Sequence, residues 1–336
     1  MALKMDSLRP QVKQAVLLWI DGFREACCLH RVVFLCLRSR MLLIRIGQCF
    51  LLNGLIFLGS MFVINSVVIP TLEWILPNRC PNFGSDDQCS FAGGVKLYSF
   101  LRSGLIQLFY IFWFYPLYVF SFVLSILWYN DIAKYAFVAM GKDGSAVVES
   151  SIQKESVNSQ TSAHMEKPPG LGGVIIGIGE QIYSLVLLNF FFLEVFTVGF
   201  IPYIGKVLNF ILLSWMYSYY SFEYKWNLAE VGLDKRLDFF ESNWAFFAGF
   251  GGPCILAIFF FSPLVSYGVM AILFPLFVAT ATSSEADQAM NSNRSTWRGA
   301  ELGRLPIFYA ADTLSMRVLL LFSRTPHGRT PDKKTP

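Results

Sequence analysis
The chain predicts an all-α polytopic membrane protein, with two long transmembrane helices followed by two helical hairpins. The 43 residues from Ser242 to Ser284 hold no Asp, Glu, Lys or Arg, and a central charge in a bilayer costs roughly 2.5–3.5 kcal/mol. The whole sequence is 54% hydrophobic and 15% charged, where soluble domains run at about 25% charged. Its Lys and Arg gather in alternate connections, the mark of a chain threaded back and forth through a membrane.

The first region, 1–45, carries Lys4, Arg9, Lys13, Arg24, Arg31, Arg38, Arg40 and Arg45. Val12, Val16, Leu17, Ile20 and Phe23 recur within it at helical spacing, which predicts an amphipathic helix. Two placements fit: on an anionic membrane surface, or against the protein's own bundle. No cleavable leader is expected. Region 46–140 holds the first transmembrane pair, with apolar stretches at 46–69 and 104–128. The 70–95 connection between them contains only Arg79 as a basic residue and is expected outside the cytosol. Lysines return at Lys134, Lys142, Lys154 and Lys167. Residues 141–170, rich in Ser and Gln and ending Lys167-Pro168-Pro169-Gly170, predict a flexible cytosolic linker.

Region 171–285 contains four more apolar stretches, 182–201, 204–222, 244–262 and 264–282, paired into two hairpins. Their turns, Gly199-Phe-Ile-Pro-Tyr-Ile-Gly205 and Phe261-Ser-Pro-Leu-Val265, are almost wholly apolar. Turns in water favour Asp, Asn, Ser and Gly, so apolar tips suit hairpins that dip into the bilayer and return. Full crossings give the same parity and stay open. Region 286–336 is expected to be a cytosolic, partly ordered tail. Even parity with basic flanks places both termini in the cytosol.

Few residues carry chemistry. Glu194 is the acidic residue deep in a predicted segment, and Lys206 across the hairpin tip is its nearest charged candidate in sequence. An intramembrane carboxyl marks either an ion path or a structural pair. Gly249, Gly251, Gly252 and Pro253 read in two ways. They could start a helix whose free N–H groups attract an anion, or they could let helices approach closely. Cys80 and Cys89 are a candidate disulfide in the non-cytosolic loop. Lys333 and Lys334 form a dilysine pattern of the kind that retrieves membrane proteins to the endoplasmic reticulum. No zinc spacing, metal-ligand motif or catalytic constellation is present in the sequence. The expectation is therefore no enzyme, no cofactor and no metal. The net charge of +4 does not argue for nucleic acid. The partners expected are the lipid bilayer, cytosolic proteins and, as a candidate, a second copy of the chain.

The run Asn243-Trp-Ala-Phe-Phe-Ala-Gly-Phe-Gly-Gly-Pro-Cys254, continued by Phe261-Ser-Pro-Leu-Val-Ser-Tyr-Gly268 and Met270-Ala-Ile-Leu-Phe-Pro-Leu-Phe-Val-Ala-Thr-Ala-Thr282, resembles the eukaryotic etoposide-induced protein 2.4 family. Asn53-Gly-Leu-Ile-Phe-Leu-Gly-Ser60 and Tyr129-Asn-Asp-Ile-Ala133 extend the likeness over residues 22–290. That family is similar to the bacterial CysZ sulfate permeases. The resemblance implies two long transmembrane helices with two hemi-penetrating hairpins, residence in the endoplasmic reticulum, and a role in autophagy, growth suppression and cell death. It implies no ligand residue. An anion permease is the alternative function.

Overall fold
The computed structural model describes residues 2–75, 110–141, 171–286 and 302–323, with Phe100, Ser103, Gly104, Gln107, Leu108 and Met290. Cys80, Cys89, Lys333, Lys334 and the linker from Lys142 to Gly170 lie outside the described residues. Every regular element among the described residues is a helix. These are α1 (Ala2–Ala26) and α2 (Leu29–Arg38), α3 (Arg40–Thr71) and α4 (Tyr115–Ala139). They are followed by α5 (Leu171–Val198), α6 (Gly205–Leu228), α7 (Leu233–Ser242), α8 (Trp244–Leu256), α9 (Pro263–Ser283) and α10 (Tyr309–Ser323).

Three of them are long and apolar enough to cross a membrane: α3, the helix Ile111–Ala139 that contains α4, and α9. At 1.5 Å per residue, the 21 residues of α9 reach about 31 Å, against about 30 Å of hydrocarbon. The predicted segment 244–262 is not one helix. Helix α8 has 13 residues and reaches only about 20 Å. Ser262 then takes an extended backbone, with φ −65° and ψ 154°, as the residue before a proline prefers, and Pro263 opens α9. The Ser262–Pro263 junction therefore interrupts a block that hydropathy alone reads as continuous.

The chain divides into two compact units. The first takes Met1–Cys27, Gly144–Ile255 and Glu285–Pro336, and so holds α1, α5, α6, α7, α10 and all but the last residue of α8. Its core is aromatic. Tyr219, Phe222, Phe240, Phe246, Phe247, Phe250 and Phe308 are all less than 2% exposed or close to it. Phe240 stacks on Phe247 with centroids 4.3 Å apart, and Tyr219 meets Trp226, Phe240 and Phe308 edge-on at 5.3–5.5 Å. Helix α8 is apolar on every side, and Ala245, Phe246, Phe247, Gly249, Phe250, Gly251, Gly252, Cys254 and Ile255 are all buried. A helix apolar all round is a core helix or a membrane span; α8 is wrapped by protein.

Helices α5 and α6 form the first hairpin. Asn209 Nδ2 donates to the Val195 carbonyl at 2.8 Å across it. Gly205 lies so close to the Val198 carbonyl that a side chain there would collide with it.

The second unit takes Cys28–Asp143 and Leu256–Ser284 and so holds α2, α3, α4 and α9. Phe57, Ile64 and Phe114 form a buried cluster there, edged by Leu58, Tyr118 and Tyr267. Arg45 of α3 pairs with Asp131 of α4 at 3.1 Å. Ser266 Oγ donates to the Ile258 carbonyl at 2.8 Å, closing the turn before α9.

Within the tail expected to be partly ordered, residues 302–323 are described. This stretch contains α10, which packs on α5. Phe308, Ala311 and Ser315 are buried on one face, at the i, i+3, i+7 spacing of an amphipathic helix.

Candidate functional site
The glycine run reads clearly in this geometry. Helix α8 continues through Gly249–Pro253, with Pro253 inside it, so the run does not begin a helix or offer free N–H groups at a first turn. A side chain on Gly249 would overlap the Trp19 carbonyl of α1, and one on Gly251 would overlap the Ser214 carbonyl of α6. Gly22 of α1 is in turn pressed on the Phe246 carbonyl. Residues 249 and 251 are two steps, about 200°, apart around a helix. The glycines thus let two backbones close on α8 from opposite faces, which is the close-packing role of small residues. Trp215 Nε1 donates to the Trp244 carbonyl at 2.9 Å and fixes α6 against the start of α8.

Glu194 and Lys206 are not brought together. Lys206 is exposed at the start of α6, and Glu194 Oε2 is buried without a hydrogen-bond partner. No ion pair to this carboxyl occurs among the described residues.

Polar chemistry inside the second unit centres on Asn53, which is fully buried. Pro275 within α9 has no N–H, so the Ala271 carbonyl one turn earlier loses its helical donor. Two side chains from other helices serve that oxygen: Tyr129 hydroxyl of α4 at 3.3 Å and Asn53 Nδ2 of α3 at 3.4 Å. Asn53 Nδ2 also lies 3.0 Å from the Cys49 carbonyl and 3.1 Å from Ser125 Oγ, and Asn53 Oδ1 accepts from Ser121 Oγ. Helix α3 opens into wide π-type turns over Phe50–Leu58 around this residue. The node is neutral and joins the unit's three spanning helices. Chemically it repairs the proline break in α9 with side-chain donors, since no water is available at such depth. Asn53 stood in an uncharged stretch, and Ser121 and Ser125 lay one turn apart. Those were the available signals, but nothing in the sequence aligned them with Ala271.

A second polar constellation, missed entirely by the sequence reading, lies in the first unit. Glu241, 4% exposed at the end of α7, accepts from Arg304 Nε at 2.8 Å and from the Phe308 backbone N–H at 3.0 Å. Arg304 also reaches Asp238 at 2.7 Å, and the Leu305 N–H donates to the Glu241 carbonyl at 3.1 Å. Phe308 immediately precedes α10, so the carboxylate caps the positive end of that helix. The bond to Glu241 raises the Arg304 pKa above its ordinary value. Arg236 serves as a neighbouring brace, donating to Val231 and Asn227 at 2.5 and 2.6 Å. Glu223, one residue beyond the apolar stretch 204–222, is pushed up to about 7 by burial, with Arg236 pulling it partly back.

The profile described as "Sulfate transporter CysZ/Etoposide-induced protein 2.4" matches residues 28–275. The chain is 61% identical to "Protein EI24 homolog" of Arabidopsis thaliana over 321 residues, covering 95% of this chain and 99% of that one. It is 27% identical to "Protein EI24 homolog" of Dictyostelium discoideum over 334 residues, covering 99% and 93%. It is also 27% identical to "Ectopic P granules protein 4" of Caenorhabditis elegans over 169 residues, covering 49% and 46%. No solved structure matches. With the profile spanning most of the helical part and one relative matching nearly end to end, the chain belongs to the Sulfate transporter CysZ/Etoposide-induced protein 2.4 family.

Proposed function
We propose that this is a non-enzymatic, multi-pass protein of the endoplasmic reticulum membrane, with both termini in the cytosol. It acts through cytosolic partners in the maturation or degradation of autophagosomes, and in growth suppression or cell death. Family membership supports the process, and the nematode relative's name, which refers to ectopic P granules, fits a role in clearing cytoplasmic material. The observation that carries the non-transport reading is the packing at Gly249 and Gly251. Neighbouring backbones occupy both faces of the run, which leaves no room for an anion there. Lys333 and Lys334 supply the retrieval address. In cells lacking this protein, turnover of a membrane-conjugated autophagosome marker is expected to fall, and the full-length chain to restore it. Normal turnover without the protein would refute the proposal.

The family description, with its sulfate transporter, favours a second reading: permeation of a sulfate-like anion. Labelled sulfate uptake by liposomes holding the purified chain tests it, with protein-free liposomes as the control. Saturable uptake above the control would establish it. A Gly251→Leu variant is no control for that assay, because its side chain would break the contact with Ser214.

A further inference from the structure
We propose that the groove between α3 and α4 binds a membrane sterol, its hydroxyl at Gln48 and Trp128 and its fused rings over Gly47. The groove measures about 440 Å³ and lies between residues 44–52 of α3 and 120–128 of α4, a volume in the range of small-molecule sites. Gly47, Gln48 and Leu51 line it from one side, and Phe120, Leu124 and Trp128 from the other. Leu51 follows Gln48 by three and Gly47 by four, and the α4 positions recur every fourth residue, so one stripe of each helix forms a wall. A Cβ built on Gly47 meets no atom within 4 Å among the described residues. Unlike Gly249 and Gly251, this glycine seats no neighbouring backbone; it leaves an open floor to the groove.

The two ends of the groove differ. Both helices carry their charges at one end, Arg40 and Arg45 on α3 and Asp131 and Lys134 on α4, while 46–72 and 103–130 hold no Asp, Glu, Lys or Arg. Hydrocarbon excludes charge, so the end at Gln48 and Trp128 lies nearer the water and the end at Leu51 and Phe120 lies deeper. Arg45 Nη1 donates to Gln48 Oε1 at 3.0 Å, and Arg45 Nη2 pairs with Asp131 at 3.1 Å. The shallow end is therefore polar but closed by a neutral pair. Arg45 Nε beside it is buried without an acceptor, and Gln48 and Trp128 bring amide and indole N–H donors. A hydroxyl oxygen accepts from such groups, whereas a phosphodiester needs a cation in excess, and Asp131 cancels Arg45. Each wall covers eight residue steps, about 12 Å, against about 15 Å for half of a hydrocarbon core. A short, rigid ring body with one uncharged polar end fits these dimensions better than an acyl chain running the depth of a leaflet. Rigidity also limits the conformational freedom lost on binding.

The test uses the full-length chain in phosphatidylcholine vesicles containing a cholesterol analogue with a photoreactive diazirine on its rings. After photolysis, peptide mapping should find the label within 44–52 and 120–128, and excess cholesterol should compete it away. Cholestane, the same rings without the hydroxyl, should compete poorly. Gly47→Leu fills the floor; because nothing packs on Gly47 and leucine favours a helix, the variant should fold, as a thermal melt in detergent verifies. Its label at both peptides should fall about tenfold. Gln48→Leu should narrow the preference for cholesterol over cholestane several-fold, the scale of one hydrogen bond. Label spread evenly along α3 and α4 and insensitive to cholesterol would mean that ordinary acyl chains fill the groove. Equal competition by cholestane would remove the hydroxyl site, and undiminished label in folded Gly47→Leu would place the sterol elsewhere. No label at either peptide would mean that protein covers the groove. Any of these four results overturns the proposal.

Discussion
Asn53 shows how much one buried amide can hold. Replacing it with Leu removes the donors facing Ala271 and the acceptor for Ser121. Hydrogen bonds inside membranes average well under 1 kcal/mol apiece, while a stranded polar atom costs about 1–3 kcal/mol. Asn53→Leu is therefore expected to destabilise by about 1–3 kcal/mol, measured by denaturant unfolding in mixed micelles; unchanged stability would mean the node is decorative. Glu223 offers a pH test. Its folded pKa of about 7 lies above the ordinary 4.5, so folding favours the protonated form. That contribution is fully present below about pH 4.5 and lost as pH rises through about 7. Glu223→Gln should then raise the melting temperature relative to the parent at pH 8 and give no gain at pH 4. A constant difference across that range would show that burial does not control the group.

Elements fail in ways that residues predict. A leucine at Gly249 cannot coexist with the Trp19 carbonyl, so Gly249→Leu should release α1 from α8. Overpacking of this kind costs about 1–3 kcal/mol or more. Faster proteolysis within residues 10–26, with the remaining helix content retained by circular dichroism, is the expected readout. The same reasoning applies to α10. Glu241→Ala removes the partner of Arg304 and of the Phe308 N–H. Because Arg304 is half exposed, the ion pair itself counts for little, and the loss is mostly the uncapped helix and the unsatisfied N–H, about 1–2 kcal/mol. The connection at 302–308 should become the first site of protease attack. Protection equal to the parent's would show that α10 is held by its packing on α5 alone.

At the level of the molecule, the proposed dilysine retrieval address can be tested apart from the fold. Changing Lys333 and Lys334 to Ser is expected to let a tagged chain escape to later secretory compartments without altering its melting behaviour. Retention unchanged would remove the dilysine reading. The amino-acid order alone made membrane residence and an all-helical fold legible. Hydrocarbon excludes charge, so charge-free stretches such as 46–69 and 104–128 betray the spans that α3 and α4 form. The family likeness was legible in the Asn243–Cys254 and Met270–Thr282 strings. Pro263 marked the break between α8 and α9, but hydropathy could not tell the two helices apart in kind, because an apolar helix buried in protein and one long enough to span have the same composition. The length of each helix and what encloses it decided that. Nor could it foresee that Gly249 and Gly251 seat two carbonyls, that Asn53 serves the oxygen orphaned by Pro275, or that Glu241 binds a stretch of the tail. These contacts join residues up to 218 positions apart. Hydrogen bonds and steric fit depend on distance in space, and only the packed chain defines that distance.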